Sequence, residues 1–91
     1  LEECLRLLSA LRTDAPVLGC MGNHESYAAC ETPLEHAAAR LGWRFLRDAK
    51  QSFRFADAQL VIAGVDYQWK KHEYLRGAEQ LREEGAFNLL L

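Results

Sequence analysis

The sequence lacks the features that mark membrane-spanning, secreted and nucleic-acid-binding proteins. It has no run of about 18 apolar residues, and its first residues do not resemble a signal peptide. Its 11 Lys and Arg residues and 13 Asp and Glu residues are scattered, so no basic stripe indicates a nucleic-acid partner. It also has no repeat, linker or low-complexity segment. These 91 residues, 49% of them hydrophobic, predict one small domain with a core.

Cysteine is scarce and irregularly spaced. Cys4, Cys20 and Cys30 are odd in number, contain no Cys-x-x-Cys pair and have apolar neighbours. This favours reduced, buried thiols over a disulfide framework, and therefore a reducing, cytoplasmic compartment. A zinc site is the alternative, for which the suitable side chains are Cys20, His24, Cys30 and His36. Structural zinc sites place two cysteines close in sequence, and that pairing is missing here.

Both ends of the chain lie inside a structural pattern. The chain opens on Leu1 within a helical repeat, without an initiator Met, and stops in an apolar run that ends at Leu91. We therefore expect residues 1–91 to be the central part of one domain, truncated at both ends. Attachment to a membrane through a missing terminus stays open as an alternative to a cytoplasmic location.

Hydrophobic periodicity predicts the element order α, β, α, β, β, β, α, β. The predicted elements are a helix over 1–11, a strand over 17–21, a helix from Thr32 to Leu41, a strand over 43–46, a hairpin with strands at 52–55 and 60–63, a helix over 70–84 and a strand over 86–91. The second hairpin strand is expected to be buried on both faces. Alternation of this kind predicts an α/β fold, a layered mixed β-sheet with packed helices.

The second predicted helix has clear boundary signals. Thr32, Pro33 and Glu35 form a capping-box pattern with Thr32 as the N-cap. Gly42 stands where a left-handed residue closes a helix. The apolar residues expected on the inner face of this helix are Leu34, Ala37, Ala38 and Leu41.

The string Gly22-Asn23-His24-Glu25 carries the chemistry of the chain. It follows the strand predicted over 17–21, and functional groups in α/β folds gather at the carboxyl ends of strands. Gly22 allows a sharp turn, and Asn23 offers a neutral oxygen that hard divalent metals accept. His24 can donate a proton to a phosphoryl or leaving-group oxygen near neutral pH. The plain alternative is that Asn23 caps a turn and His24 is a surface residue.

The segment from Ala15 to Glu25 resembles the third motif region of the calcineurin-like metallophosphoesterases. The segment from Leu60 to Asp66 resembles the strand and loop that follow in bacterial members, and Phe87 to Leu91 resembles the strand before their next metal-binding histidine. The resemblance implies a partial four-layer α/β/β/α metallophosphoesterase fold. It also implies a hydrolase, a phosphatase or phosphodiesterase, that cleaves phosphomonoesters or phosphodiesters with a dinuclear metal centre.

The same resemblance implies residue roles. Asn23 would ligate the second of two divalent ions, which could be Mn, Fe, Zn or Mg, and His24 would act on the scissile phosphate or its leaving group. The family's Asp-x-His, Gly-Asp-x-x-Asp and Gly-His-x-His motifs are not found in this sequence. We therefore expect the isolated chain to be inactive. A non-catalytic α/β binding or scaffold domain without the metal pair is the alternative function.

Three further residues are candidates for the substrate side of the site. Glu25 and Tyr27 flank the motif, and Asp66 follows a buried strand at its carboxyl end. The plain interpretation of Glu25 and Tyr27 is that they are solvated or half-packed. For the segment of Asp66, which also carries Tyr67 and Trp69, it is that Trp69 covers a hydrophobic edge. His72 is expected to lie on a solvated helix face. The identity of the phosphate ester and the oligomeric state are left open.

Overall fold

The structure, a computed structural model, describes residues 2–11, 13–68, 75 and 77–91. Its elements are α1 (Glu2–Leu8), β1 (Leu18–Gly19), α2 (Asn23–Tyr27), α3 (Glu31–Arg40), β2 (Arg44–Phe45), β3 (Ala49–Phe55), β4 (Ala58–Gly64), α4 (Ala78–Leu81) and β5 (Phe87–Leu90). The mixed α/β composition and the predicted order are confirmed. One helix, α2, was not predicted, and it begins inside the motif.

The strands form two small sheets, so the prediction of a single mixed sheet is wrong. Strands β1 and β2 are parallel, while β4 lies between β3, its antiparallel partner, and β5, its parallel partner. The predicted hairpin is confirmed. Its two-residue turn is Ala56-Asp57, and Ala56 has the positive φ of 54° that suits such a turn.

Leu46 lies where the two sheets meet. It is fully buried, and its N–H donates to the carbonyl of Gly19 at the end of β1, at 2.9 Å. Its own carbonyl lies against Gly64, the last residue of β4. A Cβ on Gly64 would lie 2.5 Å from that carbonyl oxygen, so only glycine permits the approach. Contact at Leu46 holds the carboxyl ends of the two sheets together.

Helix α3 starts earlier than its sequence signals predict. Its N-cap is Cys30 and not Thr32, and its first helical bond runs from the Leu34 N–H to the Cys30 carbonyl, at 2.9 Å. Pro33 therefore occupies the third helical position. A helix leaves its first N–H groups without intrahelical partners, so a proline is tolerated there as well as at the first position.

The end of α3 is confirmed as predicted. Gly42 adopts a left-handed φ of 77°. The N–H groups of Gly42 and Trp43 donate to the carbonyls of Ala39 and Ala38, at 3.0 and 2.9 Å. This pair of bonds is a Schellman motif, which reverses the chain into β2.

The buried apolar core is small. Its members among the described residues are Met21, Leu34, Ala38, Leu46, Val61 and Ala63. The chain forms a slab of 40 × 38 × 14 Å, which is too thin to enclose a large core. Leu41, predicted on the inner face of the second helix, is exposed, and so are Leu8 and Leu11 of the first predicted helix, since no layer of the described chain covers them. Strand β4 is only half-buried at Leu60 and Ile62, contrary to the prediction.

The prediction of buried thiols is wrong for two of the three cysteines. All three are free, but Cys4 and Cys20 are exposed and Cys30 is half-buried. Cys4 belongs to α1, which lies at the surface of the slab, and Cys20 directly follows the short strand β1. The thiol of Cys30 donates to the carbonyl of Glu25, at 3.6 Å.

The segment between β4 and β5 differs from its prediction. Among the described residues of the helix predicted over 70–84, only the four residues of α4 are helical, because Leu75 and Gly77 have positive φ values and Arg82 is extended. Residues 69–74 lie outside the described part, and with them Trp69 and His72. Strand β5 is confirmed, and all four of its residues are exposed. No helix in the described ranges has the length and apolar character to cross a bilayer.

Candidate functional site

The site lies where the carboxyl ends of several strands converge. Residues 20–22 follow β1, residues 65–68 follow β4, and Leu91 follows β5. Together with Leu75 they line an open cleft of about 240 Å³. The described residues of its lining have mainly apolar side chains, and none of them is a cation. This is the edge at which α/β folds commonly place ligands, and the predicted position of the motif at the exit of β1 is confirmed.

The motif folds as the start of a helix and not as the expected loop. Gly22 is the N-cap of α2, and its backbone N–H donates to Oε2 of Glu25 at 2.9 Å. This is the backward half of a capping box, with the acid at the third helical position. The structure therefore gives Glu25, a substrate-side candidate, a local role in closing the turn that presents Asn23 and His24.

Asn23 and His24 have different environments although they are adjacent. Asn23 is half-buried at the first position of α2, and His24 is exposed. Successive helical residues point about 100° apart, so an amide and an imidazole from neighbouring positions face different directions. The two side chains can therefore act on different atoms.

Tyr27 lies on the same side of α2 as His24, since residues three apart share a helix face. The two rings meet edge to face, with centroids 6.3 Å apart and planes at 82°. Tyr27 also contacts Tyr67, which follows β4, with centroids 6.4 Å apart. The three rings connect the motif helix with the opposite wall of the cleft.

Asp66, the third substrate-side candidate, is held by Arg47. The Nη2 and Nε atoms of Arg47 donate to Oδ2 of Asp66 at 2.7 and 2.9 Å, and Nη1 lies 3.4 Å from Oε2 of Glu35. These carboxylates, Asp66 first, raise the pKa of Arg47 above its already high ordinary value. The Asp66 N–H in turn donates to Oδ1 of Asp48, at 3.1 Å. The other carboxylate oxygen of Asp66 is buried and has no hydrogen-bond partner among the described residues.

Sequence reasoning missed Arg47, Asp48 and Glu35. One signal was available, because Arg47 and Asp48 follow β2 at its carboxyl end, as the motif follows β1. Glu35 had no signal beyond its place in the capping-box pattern. Arg47 and Asp66 are 19 residues apart in sequence, and no local spacing rule joins them.

The contacts of Arg47 predict that replacing it lowers the free energy of unfolding modestly and loosens the structure locally, around Asp66. Replacing Arg47 with Lys removes the two-donor contact to Asp66, and because both side chains are about 30% exposed we expect a loss of about 1 kcal/mol. Urea denaturation measures the loss, and hydrogen exchange should show a less protected Asp66 amide. Arg54→Lys, at an exposed position of β3, is the matched control. Unchanged Asp66 protection in Arg47→Lys would contradict the assigned contact.

The described residues contain no group of three or more His, Cys, Asp or Glu side chains arranged to hold a metal ion. The four residues of the alternative zinc site all belong to the described ranges and form no such group. Asn23 provides one amide oxygen, which suits a hard divalent ion but is not sufficient for one.

Comparison with models of protein families, with curated proteins and with solved structures found no match for this chain.

Proposed function

We propose that this chain belongs to a metal-dependent phosphoesterase that hydrolyses phosphomonoester or phosphodiester bonds. The observation that carries the proposal is the pairing of half-buried Asn23 with exposed His24 at a helix start that comes three residues after the end of a strand. An amide oxygen and an imidazole placed side by side can address a metal ion and a phosphate oxygen at the same time. The resemblance of the segment from Ala15 to Glu25 to the calcineurin-like enzymes supports the same function.

His24 serves in this proposal as the proton donor. Its ring is exposed beside the cleft, so it can reach an ester oxygen without rearrangement of α2. Water adds to phosphorus and loses a proton to solvent while the P–O bond of the ester breaks. The ring N–H transfers its proton to the departing oxygen, and solvent later restores that proton. The hydrogen bond from Gly22 to Glu25 fixes the turn from which His24 projects.

Asn23 is the one described residue assigned to a metal ion. Its neutral amide suits Mn, Fe, Mg or Zn, and bound divalent ions would supply Lewis-acid activation of the ester. One amide does not hold a metal pair, so the proposal requires further ligands from residues outside this sequence. The thin slab and its exposed apolar side chains are compatible with packing in a larger four-layer α/β/β/α fold.

Reading the complete coding sequence around this chain tests the proposal. We expect Asp-x-His and Gly-Asp-x-x-Asp motifs upstream and histidine motifs downstream. Metal analysis of the full gene product is expected to find a divalent metal pair, with lower occupancy in Asn23→Ala. An intact gene without these motifs, together with a metal-free product, would favour the non-catalytic binding or scaffold domain instead.

A further inference from the structure

The surroundings of His24 indicate which group the substrate carries. His24 and Tyr27 share one face of α2, and their ring centroids are 6.3 Å apart. If His24 protonates the departing ester oxygen, the organic group on that oxygen lies within a few ångströms of the Tyr27 ring. The Tyr27 residue is 62% exposed, so its ring offers surface to a neighbouring molecule.

A second aromatic ring reaches the same place from the other wall of the cleft. Tyr67 follows β4, lines the cleft and contacts Tyr27 with the ring planes tilted by 50°. Asp66, its neighbour, is held by Arg47, so the segment that carries Tyr67 is fixed at its base. Tilted and edge-to-face contacts are favoured arrangements of aromatic rings, so another flat ring can pack in the same way against the exposed surfaces of this pair.

The cleft itself favours an uncharged ring over a phosphate. Its lining includes Met21, Val65 and Leu75, and Asp66 is the one charged member among the described lining residues. These described residues offer an anionic phosphate no cation, whereas an aromatic group finds apolar surface and π-faces among them. The volume of about 240 Å³ exceeds the cavity of about 150 Å³ that admits benzene in another protein.

From this geometry, and resting on the proposed function, we propose that the preferred substrate is a phosphate ester whose leaving alcohol carries a flat aromatic ring, stacked on Tyr27 and Tyr67. The two tyrosines then act in specificity, and His24 acts on the ester oxygen. Stacking against aromatic side chains is tolerant of ring type, so nucleoside and aryl groups both fit this description.

The test compares benzyl and cyclohexylmethyl phosphate esters with the full gene product. Both leaving groups are primary alcohols of similar size, and the flat π-system of the benzyl ring is the main difference between them. We expect kcat/KM to favour the benzyl ester about tenfold, Tyr27→Leu to remove most of this preference, and Tyr27→Phe to keep it. Phe55→Leu, at an aromatic residue of similar exposure on the hairpin, is the matched control and should keep the preference.

A measurement without turnover accompanies the kinetics. Benzylphosphonate should bind about tenfold more tightly than cyclohexylmethylphosphonate, as measured by calorimetry, and Tyr27→Leu should bring the two constants together. Equal constants, tighter binding of the saturated ring, or an unchanged preference in Tyr27→Leu would overturn the aromatic specificity. If an ester is hydrolysed but one of these contradicting results is found, the proposed phosphoesterase function is retained and only the proposed aromatic specificity is rejected. If neither ester is hydrolysed, the binding ratio still decides the specificity.

Discussion

His24→Ala is expected to slow hydrolysis of an alkyl phosphate ester by the full gene product about 100- to 10,000-fold. An alkoxide is a poor leaving group, so the proton that His24 donates lowers the barrier most when an alkoxide departs. A p-nitrophenolate leaves readily without a proton. Hydrolysis of bis-p-nitrophenyl phosphate should therefore slow much less in the same variant. Measuring kcat for both esters separates loss of a proton donor from general damage to the site.

His36→Ala is the matched control for this experiment, because His36 is an exposed histidine on the neighbouring helix α3. It should leave the hydrolysis of both esters unchanged. If His24→Ala lowers kcat equally for the two esters, the acceptor of the His24 proton would be a non-bridging phosphoryl oxygen and not the leaving-group oxygen. Unchanged turnover of both esters would refute any catalytic role for His24.

Features determined by local backbone chemistry were predictable from the sequence. The left-handed Gly42 closes α3, a hairpin joins β3 to β4, and the motif follows β1, because each depends on a few adjacent residues. The start of α3 was mispredicted for a related reason. Pro33 is compatible with several positions of the first turn, so its presence does not select one.

Features that depend on contacts between distant segments were not predictable. Arg47 reaches Asp66 only because β2 and β4 end side by side, and nothing in the spacing of the two residues indicates this. Burial also depends on how distant segments pack and was not predictable for the same reason. The exposure of Leu8 and Leu11 follows from the thin shape of the slab. At the site, sequence patterns identified the chemistry of Asn23 and His24, while the partners of Tyr27 and Asp66 required the fold.

Gly64→Ala is expected to have the largest effect on stability, because the added methyl group would overlap Leu46 at the contact that joins the two sheets. The added Cβ would lie 2.5 Å from the Leu46 carbonyl oxygen and 2.6 Å from the Leu46 Cβ. Leu46 is fully buried, and its N–H is bonded to the Gly19 carbonyl, so it cannot move aside without breaking that bond. We expect a loss of about 3 kcal/mol in the free energy of unfolding, measured with urea.

Gly42→Ala separates this crowding from backbone strain. A Cβ at Gly42 meets nothing within 4 Å. The loss of about 1 kcal/mol that we expect in the free energy of unfolding of Gly42→Ala therefore comes from the positive φ of 77° alone. A loss in Gly64→Ala no larger than in Gly42→Ala would mean that the sheets can separate at Leu46 at little cost. A larger loss should come with faster hydrogen exchange at the Asp66 amide. Arg47 directly follows Leu46, and Asp66 lies two residues beyond Gly64, so moving the sheets apart also moves the Arg47–Asp66 contact at the cleft.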